Sequence, residues 1–316
     1  MTASPFGNLR ASTALSRAEL GALVELERTC AALDGGRLKL EYPALAERRA
    51  DRESDFTWWV HGELVGFLGI YQWQPAEVEM AGMVHPRHRR LGVFSRLFEA
   101  AMAELCRRAA PRVLLVMDRR SDAGHAFASH VDAVYEHSEH RMVQRRAPSA
   151  LDPDRSLELR PALAGVDSGF ISECLSAAFG IPCGDVMEDD AASVSKRHLV
   201  VERDGEPVGT LRVDCRKEGG KTMAGIYGFA VLPDHQGRGI GRCVLTELIA
   251  RLRGEGVDEI TLEVSVSNDA ALKVYESCGF DRVGTDDYFM VQRGRPHGQA
   301  LHPTARASAG GGVRPL

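Results

Sequence analysis

The segment VLPDHQGRGIGR (231–242) decides the fold of this chain. It follows the apolar run MAGIYGFAVL (223–232) and precedes a region, 244–252, in which apolar residues recur every three or four positions. The pattern predicts a buried strand, a glycine-rich loop and an amphipathic helix, in that order. Glycines at such a junction let the backbone turn sharply and direct successive amides toward a ligand.

The glycine-rich loop is suited to binding phosphate. Gly237, Gly239 and Gly241 lie where free amides and the helix dipole favour an anion. Arg238 and Arg242 add positive charge. The spacing is not GxGxxG, and no Lys-Ser/Thr pair follows as in a P-loop. The loop therefore predicts a site for a phosphate or pyrophosphate, and the alternative is a glycine-rich connection with no ligand.

The same pattern occurs earlier in the chain. VHPRHRRLG (84–92) matches VLPDHQGRG (231–239) at an offset of 147. Further upstream, HGELVGFLGI (61–70) matches DGEPVGTLRV (204–213) at an offset of 143. We place the four additional residues of the second copy in DCRKEGGK (214–221), as a longer hairpin. A period this long indicates a duplicated domain and not a solenoid.

The repeat predicts two domains of similar size. They are 1–146 and 157–292, joined by a linker at 147–156 that is rich in proline and charge. Residues 293–316 have the composition of a disordered tail. In the second copy, the expected order is strand, strand, strand, helix, strand, helix, strand, and Asp204-Gly205 predicts a hairpin turn between the first two strands. That order predicts an α/β fold with an α+β mixed sheet in each domain.

Composition narrows the function classes. The chain has 316 residues, 44% of them hydrophobic, and a net charge of -5, which argues against a general nucleic-acid binder. No apolar run approaches the ~18 residues of a membrane-spanning helix, and residues 1–10 lack an export signal. The seven cysteines form no CxxC pair, and the histidines of 125–140 lack a metal-ligand spacing. We expect a cytoplasmic protein with no metal, membrane or nucleic-acid partner.

The loop, together with NDAALKVYESCGF (268–280), resembles the GCN5-related N-acetyltransferase (GNAT) family. The match covers 157–292, and 12–146 resembles the same fold with weaker motifs. The resemblance implies two tandem GNAT-like domains and an enzyme that moves an acetyl group from acetyl-coenzyme A (acetyl-CoA) to an amine. It also implies that the loop binds the pyrophosphate of the coenzyme.

Acetyl transfer from a thioester needs a neutral amine, donors for the developing oxyanion and a proton for the departing thiolate. The resemblance implies that Tyr275 supplies this proton and that Asn268 binds the pantetheine arm or the adjoining backbone. The alternatives are a tyrosine packed under the sheet and an ordinary helix N-cap. A backbone amide of the third strand, near Ala230 or Val231, would polarise the carbonyl. The predicted coenzyme-binding residues are Ala230, Val231, Gln236, Gly237, Arg238, Gly239, Ile240, Gly241, Arg242 and Asn268.

The general base is not evident from the sequence. The family often opens the third strand with a glutamate, and the matching residue here is Gly225. Glu263, the acidic residues of 187–190 and the pair at 286–287 are possible substitutes, but each is more often a solvated charge. We therefore assign no base.

The first copy departs from the pattern at the positions that carry the chemistry. Its residues at the places of Gly241, Asn268, Tyr275, Gly279 and Phe280 are Phe94, Ser121, Ala128, Asp132 and Ala133. Alanine cannot protonate a thiolate, so we expect the first domain to be non-catalytic. Arg87, Arg89 and Arg90 could still attract phosphate, which leaves its coenzyme binding open.

We expect the acceptor to be a primary amine of a small molecule, such as an amino acid, a polyamine or an amino-bearing antibiotic. The acidic residues Asp185, Glu188, Asp189 and Asp190 in 177–192 would favour a cationic acceptor, although a solvated loop is an equal alternative. A protein N-terminal or lysine acetyltransferase is the alternative of the same reaction. A non-catalytic coenzyme-binding or scaffold protein is the alternative of another class. The oligomeric state, including a homo-oligomer, is open.

Overall fold

The computed structural model describes residues 7–48, 51–74, 77–110, 112–149, 154, 156–180, 196–218 and 220–292. The terminal segment 293–316 and the four acidic residues at 185–190 lie outside these ranges. The strands are β1 (Asn8–Ser12), β2 (Asp55–Val60), β3 (Glu63–Gln74), β4 (Glu77–Val84), β5 (Arg112–Asp118), β6 (Val134–Gln144), β7 (Leu157–Pro161), β8 (Lys196–Arg203), β9 (Glu206–Glu218), β10 (Lys221–Val231), β11 (Glu259–Ser265) and β12 (Phe280–Met290). The helices are α1 (Arg17–Asp34), α2 (Tyr42–Ala46), α3 (Val93–Arg107), α4 (Asp122–His130), α5 (Ser168–Phe179), α6 (Ile240–Gly254) and α7 (Asp269–Ser277).

The chain forms two compact units. Unit 1 contains the described residues up to Ser138 together with 284–292, and unit 2 contains those of 139–283. This division does not coincide with the predicted linker at 147–156. Strand β6 begins in unit 1 and ends in unit 2, and β12 does the reverse. Unit 1 therefore takes its last strand, β12, from the far end of the chain, where it pairs with β5. In unit 2 the strand beside β11 is β6, which precedes β7 in sequence. Local patterns do not reveal this exchange of the last strands.

Unit 1 is a six-stranded mixed sheet in the order β1-β2-β3-β4-β5-β12. Among its described strands, β4 and β5 pair in parallel and the other neighbours pair antiparallel. The sheet has an apolar core on each face. One contains Leu97, Phe98 and Leu105 of α3, and the other contains Leu23 and Leu26 of α1.

Unit 2 has the matching order β6-β11-β10-β9-β8-β7, with β10 and β11 parallel. Its core lies on the face covered by α6 and α7. The five apolar residues that predicted the α6 face are all buried in it: Val244, Leu245, Leu248, Ile249 and Leu252. Strand β7 and helix α5 were not part of the predicted order, because β7 has only five residues and α5 follows it without a strong period.

The hairpins predicted for the second copy are confirmed, and the first copy has the matching turn. Asp204 and Gly205 have φ of 53° and 83°, and His61 and Gly62 have 48° and 85°, which is the left-handed backbone of a tight hairpin turn. The pairing of β9 with β10 continues to the tip of the hairpin at Lys221, so the second copy does have the longer hairpin. One of its extra residues forms a bulge in β10.

Candidate active site

Two strands separate at the centre of unit 2. The parallel pairing of β10 with β11 stops at Ile226 and Leu262, although β10 continues to Val231 and β11 to Ser265. On its other side, β10 has a bulge at Gly228, whose φ is 55°. Bulges bend a strand and often lie beside active sites. The opening exposes β10 backbone groups that an extended ligand can pair with.

Of the two predicted amide donors, Val231 faces this opening. The Ala230 carbonyl is directed toward β9 and lies 3.8 Å from the Cys174 Sγ. The next backbone amide on that side is Leu232, which donates to the Val208 carbonyl at 2.9 Å. Because backbone groups alternate in direction along a strand, the Val231 amide points to the side of β11.

The glycine loop joins the end of β10 to α6. Gly237 and Gly239 have φ of 72° and 80°, a conformation that favours glycine, and no atom lies within 4 Å of the Cβ position of either residue. The Gln236 Nε2 donates to the Val231 carbonyl at 2.9 Å and braces the loop against the strand. Arg238 is exposed. The first amides of a helix have no partner within it, so this loop can bind an anion.

Gly241 is the loop residue that packing does not explain. Its φ is not in the left-handed region, and a Cβ would be 3.8 Å from the Phe229 ring and 3.9 Å from Val274. Alanine would therefore fit in the protein itself. The bare backbone leaves space at the start of α6, after Ile240, which is buried beneath it. Such space fits a ligand that approaches the helix amides closely.

Tyr275 lies on α7, directly after Val274, which is the α7 residue beside Gly241. The tyrosine is only 6% exposed, and its ring is 6.0 Å from that of Phe280 in an edge-on arrangement. Burial raises the pKa of its phenol, so the hydroxyl stays protonated at neutral pH. Among the described residues, no hydrogen bond of this hydroxyl is formed. The predicted acid is thus a buried, protonated phenol on the helix whose Val274 lies beside Gly241.

Asn268 caps α7. Its Oδ1 accepts a hydrogen bond from the Ala271 amide at 3.0 Å, as an N-cap residue does. Ser121 does the same in unit 1, where its Oγ accepts from the Gly124 amide at 3.1 Å. The two residues therefore share a structural role, and Asn268 has in addition an amide group that serine lacks. Arg242, also predicted for the coenzyme, lies 3.5 Å by its Nη2 from the Ser149 carbonyl.

The residues considered as general bases lie in different parts of the chain. Asp287 belongs to unit 1, where it accepts from the Arg119 Nη2 at 2.8 Å and the Ser138 Oγ at 2.6 Å. Glu263 is on β11 and points away from the core, across from Arg141 of β6. The residues 187–190 lie outside the described ranges.

Unit 1 repeats the backbone of the loop but not its open space. Arg90 and Gly92 have φ of 63° and 76°, close to the values at Gly237 and Gly239. Phe94, at the place of Gly241, lies with its Cε2 only 2.9 Å from the Cβ position of Gly82. Its ring fills the start of α3.

One arginine of the unit 1 loop, Arg89, is already bound by other groups of the protein. Arg89 forms a two-pronged ion pair with Asp34, with both N to O distances 2.7 Å, and its Nε donates to the Val84 carbonyl at 3.0 Å. Arg89 therefore braces the loop as Gln236 does in unit 2. This pairing leaves Arg89 less suited to attract a phosphate.

Unit 1 also has a carboxylate that the sequence alignment missed. Its last parallel pair is Met80 with Leu115, which corresponds to Ile226 with Leu262, so the counterpart of Gly225 is Glu79. The offset of 147 had pointed to residue 78, because the bulge of β10 adds one residue that leaves no gap signal. Glu79 pairs with Lys39 at 3.8 Å.

Comparison with known proteins agrees with this geometry. The model of the acetyltransferase (GNAT) family matches residues 21–130 and 170–280, which together make up more than half of the chain. The chain belongs to the acetyltransferase (GNAT) family. It is an acyltransferase, and the expectation of two tandem GNAT domains with mixed α/β sheets is confirmed.

Three relatives illustrate the match. A mycothiol acetyltransferase of Streptomyces coelicolor is 29% identical over 254 residues, 73% of this chain and 77% of that protein. The [ribosomal protein bS18]-alanine N-acetyltransferase of Escherichia coli is 47% identical over 73 residues, 23% of this chain and 49% of that protein. The solved structure of a tandem GNAT protein from the clavulanic acid biosynthesis pathway has a TM-score of 0.65 at 18% identity, covering 92% of this chain and 100% of that one.

Other surfaces of the described residues do not carry the predicted site. A groove of about 650 Å³ lies between α6 and residues 144–149, and none of the predicted site residues lines it. None of the helices in the described ranges is long and apolar enough to cross a membrane. Within the same ranges, no three His, Cys, Asp or Glu side chains are grouped to hold a metal.

Proposed function

We propose that unit 2 transfers the acetyl group of acetyl-CoA to a primary amine of a small molecule. One observation carries the proposal: the glycine loop with its bare Gly241, the strand opening and Tyr275 occur together in one unit. Unit 1 has the loop backbone but fills the space with Phe94 and has Ala128 at the tyrosine position. The full set therefore favours catalysis in unit 2 over a non-catalytic scaffold.

The coenzyme is expected to bind along the opening. Its pyrophosphate would accept hydrogen bonds from the amides of the loop, with Arg238 supplying positive charge. Its amide-bearing arm would pair with β10 beyond Ile226, as an added strand does. A Cβ at Gly241 would occupy the space where we expect the coenzyme to approach α6. Glycine at this position is therefore suited to coenzyme binding.

The transfer needs one bond made and one broken. The amine nitrogen attacks the thioester carbon, while the Val231 amide donates to the carbonyl oxygen on which negative charge develops. The carbon–sulfur bond then breaks, and the Tyr275 hydroxyl gives its proton to the departing thiolate. The nitrogen loses one proton to water and the Tyr275 phenolate regains one from water, so that the products are an amide, a free thiol and the regenerated enzyme.

The nature of the acceptor follows from the relatives only as a proposal. Several relatives are named mycothiol acetyltransferases, which supports a small-molecule acceptor. The Escherichia coli relative is named for the alanine of a ribosomal protein, and its high local identity makes a protein N-terminus the second candidate. We place the reaction in the cytoplasm, and the free cysteines of the described ranges fit a reducing compartment.

A thiol-release assay with acetyl-CoA tests the proposal. The panel contains L-lysine, spermidine, glucosamine, deacetylated mycothiol and a peptide that begins with alanine, and mass spectrometry identifies the acetylated product. We expect amine-dependent release of free thiol with at least one small molecule. Acetylation of the peptide alone would favour the second candidate. No binding of acetyl-CoA by calorimetry would contradict the proposal.

A further inference from the structure

The sheet of unit 2 has a polar face opposite its core, which we call the acceptor face. Its residues alternate along the strands with those buried against α6 and α7. Helix α5 covers part of it. In unit 1 the same face is covered by α1, α2 and an apolar cluster. The residues of the acceptor face that matter here are Arg212 and Asp214 of β9, Gly225 and Tyr227 of β10, Glu263 of β11 and Arg141 of β6.

Tyr227 covers the place where β10 could carry a base. A Cβ at Gly225 would lie 2.6 Å from the Tyr227 Cε2 and 2.7 Å from its hydroxyl oxygen. The Arg212 guanidinium lies 5.0 Å from the centre of the Tyr227 ring, and the two residues are direct partners in the sheet. Before the strands open, β10 therefore presents methionine, glycine and tyrosine to the acceptor, and no carboxylate.

Two carboxylates, Asp214 and Glu263, lie on the strands next to Gly225, and each has an arginine beside it. Asp214 lies across from Gly225, and its Oδ1 is 3.0 Å from the Arg212 Nε. Glu263 lies across from Arg141 on the neighbouring strand. Because each of these carboxylates has a guanidinium beside it, the described residues at this place give an entering ammonium group little net negative charge to stabilise it. The site thus favours an acceptor that is already neutral.

We propose that the acceptor enters as the free amine, and that this chain acts on weakly basic amines such as α-amino groups. Lysine side chains and polyamines are then poor acceptors. The inference rests on the proposed function of unit 2 and narrows its substrate class. It runs against the cationic acceptor expected from the acidic residues at 185–190.

The ordinary basicities give the size of the effect. An α-amino group has a pKa of about 7.7–8.0 and a lysine amine one of about 10.4. At pH 7, roughly one α-amine in ten is neutral, against about one lysine amine in 2,500. The neutral nitrogen attacks the thioester carbon and releases one proton to solvent water, and the carbon–sulfur bond breaks. Tyr275 protonates the departing sulfur, and its phenolate then takes a proton back from water. No enzyme carboxylate is needed in this sequence.

The test measures kcat/KM of the full chain against pH with two probes, glycinamide and Nα-acetyl-lysine amide. We expect kcat/KM to rise tenfold per pH unit up to the pKa of each amine, so that the midpoints differ by about two units. At pH 7 glycinamide should be preferred on the order of 100-fold. A midpoint at the same pH for both amines would mean that a group of the enzyme sets it, and would overturn the inference.

Two single variants search for a hidden base. Asp214→Asn and Glu263→Gln should both keep the midpoint that each amine sets, whatever their effect on acceptor affinity. Loss of the pH dependence in either variant would identify that carboxylate as the base and contradict the inference. Tyr71→Phe is a matched control in unit 1, where Arg48 lies over the Tyr71 ring at the same 5.0 Å, and it should change neither kcat/KM nor the midpoint.

A double variant installs the missing group. Gly225→Glu with Tyr227→Ala opens the space and places a carboxylate on β10. We expect activity toward Nα-acetyl-lysine amide to increase about tenfold over Tyr227→Ala alone at pH 7, with a new midpoint shared by both amines. No change in that ratio, in a variant that still binds acetyl-CoA, would speak against the inference. If the wild-type chain acetylates no amine at all, the proposed function fails, and not only this narrowing of it.

Discussion

At the scale of the single residue, Tyr275 gives the sharpest test of the reaction. Its phenol is buried and its pKa is raised by that burial, so it is protonated throughout the physiological range. Tyr275→Phe removes only the hydroxyl. We expect kcat to fall about 100-fold, because general acid catalysis commonly contributes this much. The measurement is steady-state thiol release.

The affinity of Tyr275→Phe for acetyl-CoA should stay within a factor of about two of the wild type. The hydroxyl acts on the departing thiolate, and the ring that packs near Phe280 is retained. Calorimetry and thermal unfolding serve as controls. Unchanged kcat in a variant that binds the coenzyme normally would mean that water or another group protonates the sulfur.

Asp55 in unit 1 allows a second prediction at this scale. Its carboxyl is fully buried, with Oδ1 2.8 Å from the Arg48 Nη2. Burial raises its pKa to about 6, against the opposing pull of Arg48. Because the folded protein binds this proton more tightly than the unfolded chain does, the free energy of unfolding decreases as pH rises from about 4 to about 6. The decrease from this group is roughly 3 kcal/mol.

Asp55→Asn should remove that decrease. The free energy of unfolding, measured by urea denaturation between pH 4 and pH 7, would then lose the part of its slope that Asp55 causes. Asp51→Asn is the matched control, since the Asp51 side chain is 63% exposed, and it should keep the wild-type slope. Identical slopes for wild type and Asp55→Asn would contradict the assignment.

At the scale of the element, a substitution at the junction of β10 and α6 should change the affinity for the coenzyme without lowering the stability of the fold. A Cβ on Gly241 meets only ordinary contacts at 3.8–3.9 Å. Gly241→Ala should therefore leave the fold intact or stabilise it by up to about 1 kcal/mol, as alanine does in a helix. Affinity for acetyl-CoA should still fall, because the methyl group lies where the coenzyme approaches the helix amides.

Gly241→Phe reproduces the residue that unit 1 has at Phe94. We expect it to weaken acetyl-CoA binding more than tenfold, about 1.4 kcal/mol or more, measured by calorimetry. Gly254→Ala, at the other end of α6 with open space around it, is the control and should not change binding. If Gly241→Phe folds and binds the coenzyme normally, the binding site lies elsewhere.

Several parts of the fold could be predicted from the sequence, because each depends on residues that are close together in the chain. The signals lie within short stretches of sequence: the apolar period of α6, the Asp204-Gly205 turn and the N-cap at Asn268. The bulge at Gly228 is different, since one additional residue in a strand changes neither periodicity nor composition. The additional residue shifts the correspondence between the two copies by one position. The constant offset of 147 therefore pairs Gly225 with residue 78, whereas the sheet pairs it with Glu79. The position of Tyr227 over Gly225 depends on the same bulged strand.

At the scale of the whole chain, the two units differ at the positions of the proposed site. Unit 1 retains a carboxylate, Glu79, but pairs it with Lys39 and has Ala128 at the tyrosine position. Unit 2 retains Tyr275 and the open loop but has Gly225 where the carboxylate would be. Neither copy therefore carries the complete set. The sheets differ as well, because unit 1 has an apolar core on each face of its sheet and unit 2 has the polar acceptor face.

The last strands determine how the chain can be divided. Residues 139–143 of β6 pair with β11, and the amides of Arg145 and Arg146 donate to the Gly279 carbonyl at 2.9 and 3.1 Å. A fragment cut at the predicted boundary, 157–292, loses all of these contacts and turns β11 into an unprotected edge strand. The fragment 139–292 keeps them. We expect 157–292 to unfold roughly 10 °C below 139–292, as a loss of about 3 kcal/mol would cause in a domain of this size.

Both fragments contain residues 284–292, so the comparison isolates β6 and the segment after it. Calorimetric unfolding gives the two Tm values, and thiol release gives the activity that each fragment retains relative to the full chain. The fragment 1–146 should show no transfer, because it has neither Tyr275 nor the open loop. Equal Tm values for 157–292 and 139–292 would mean that β6 is dispensable for unit 2. Transfer by 1–146 alone would reverse the assignment of catalysis, since Ala128 can give no proton to a thiolate.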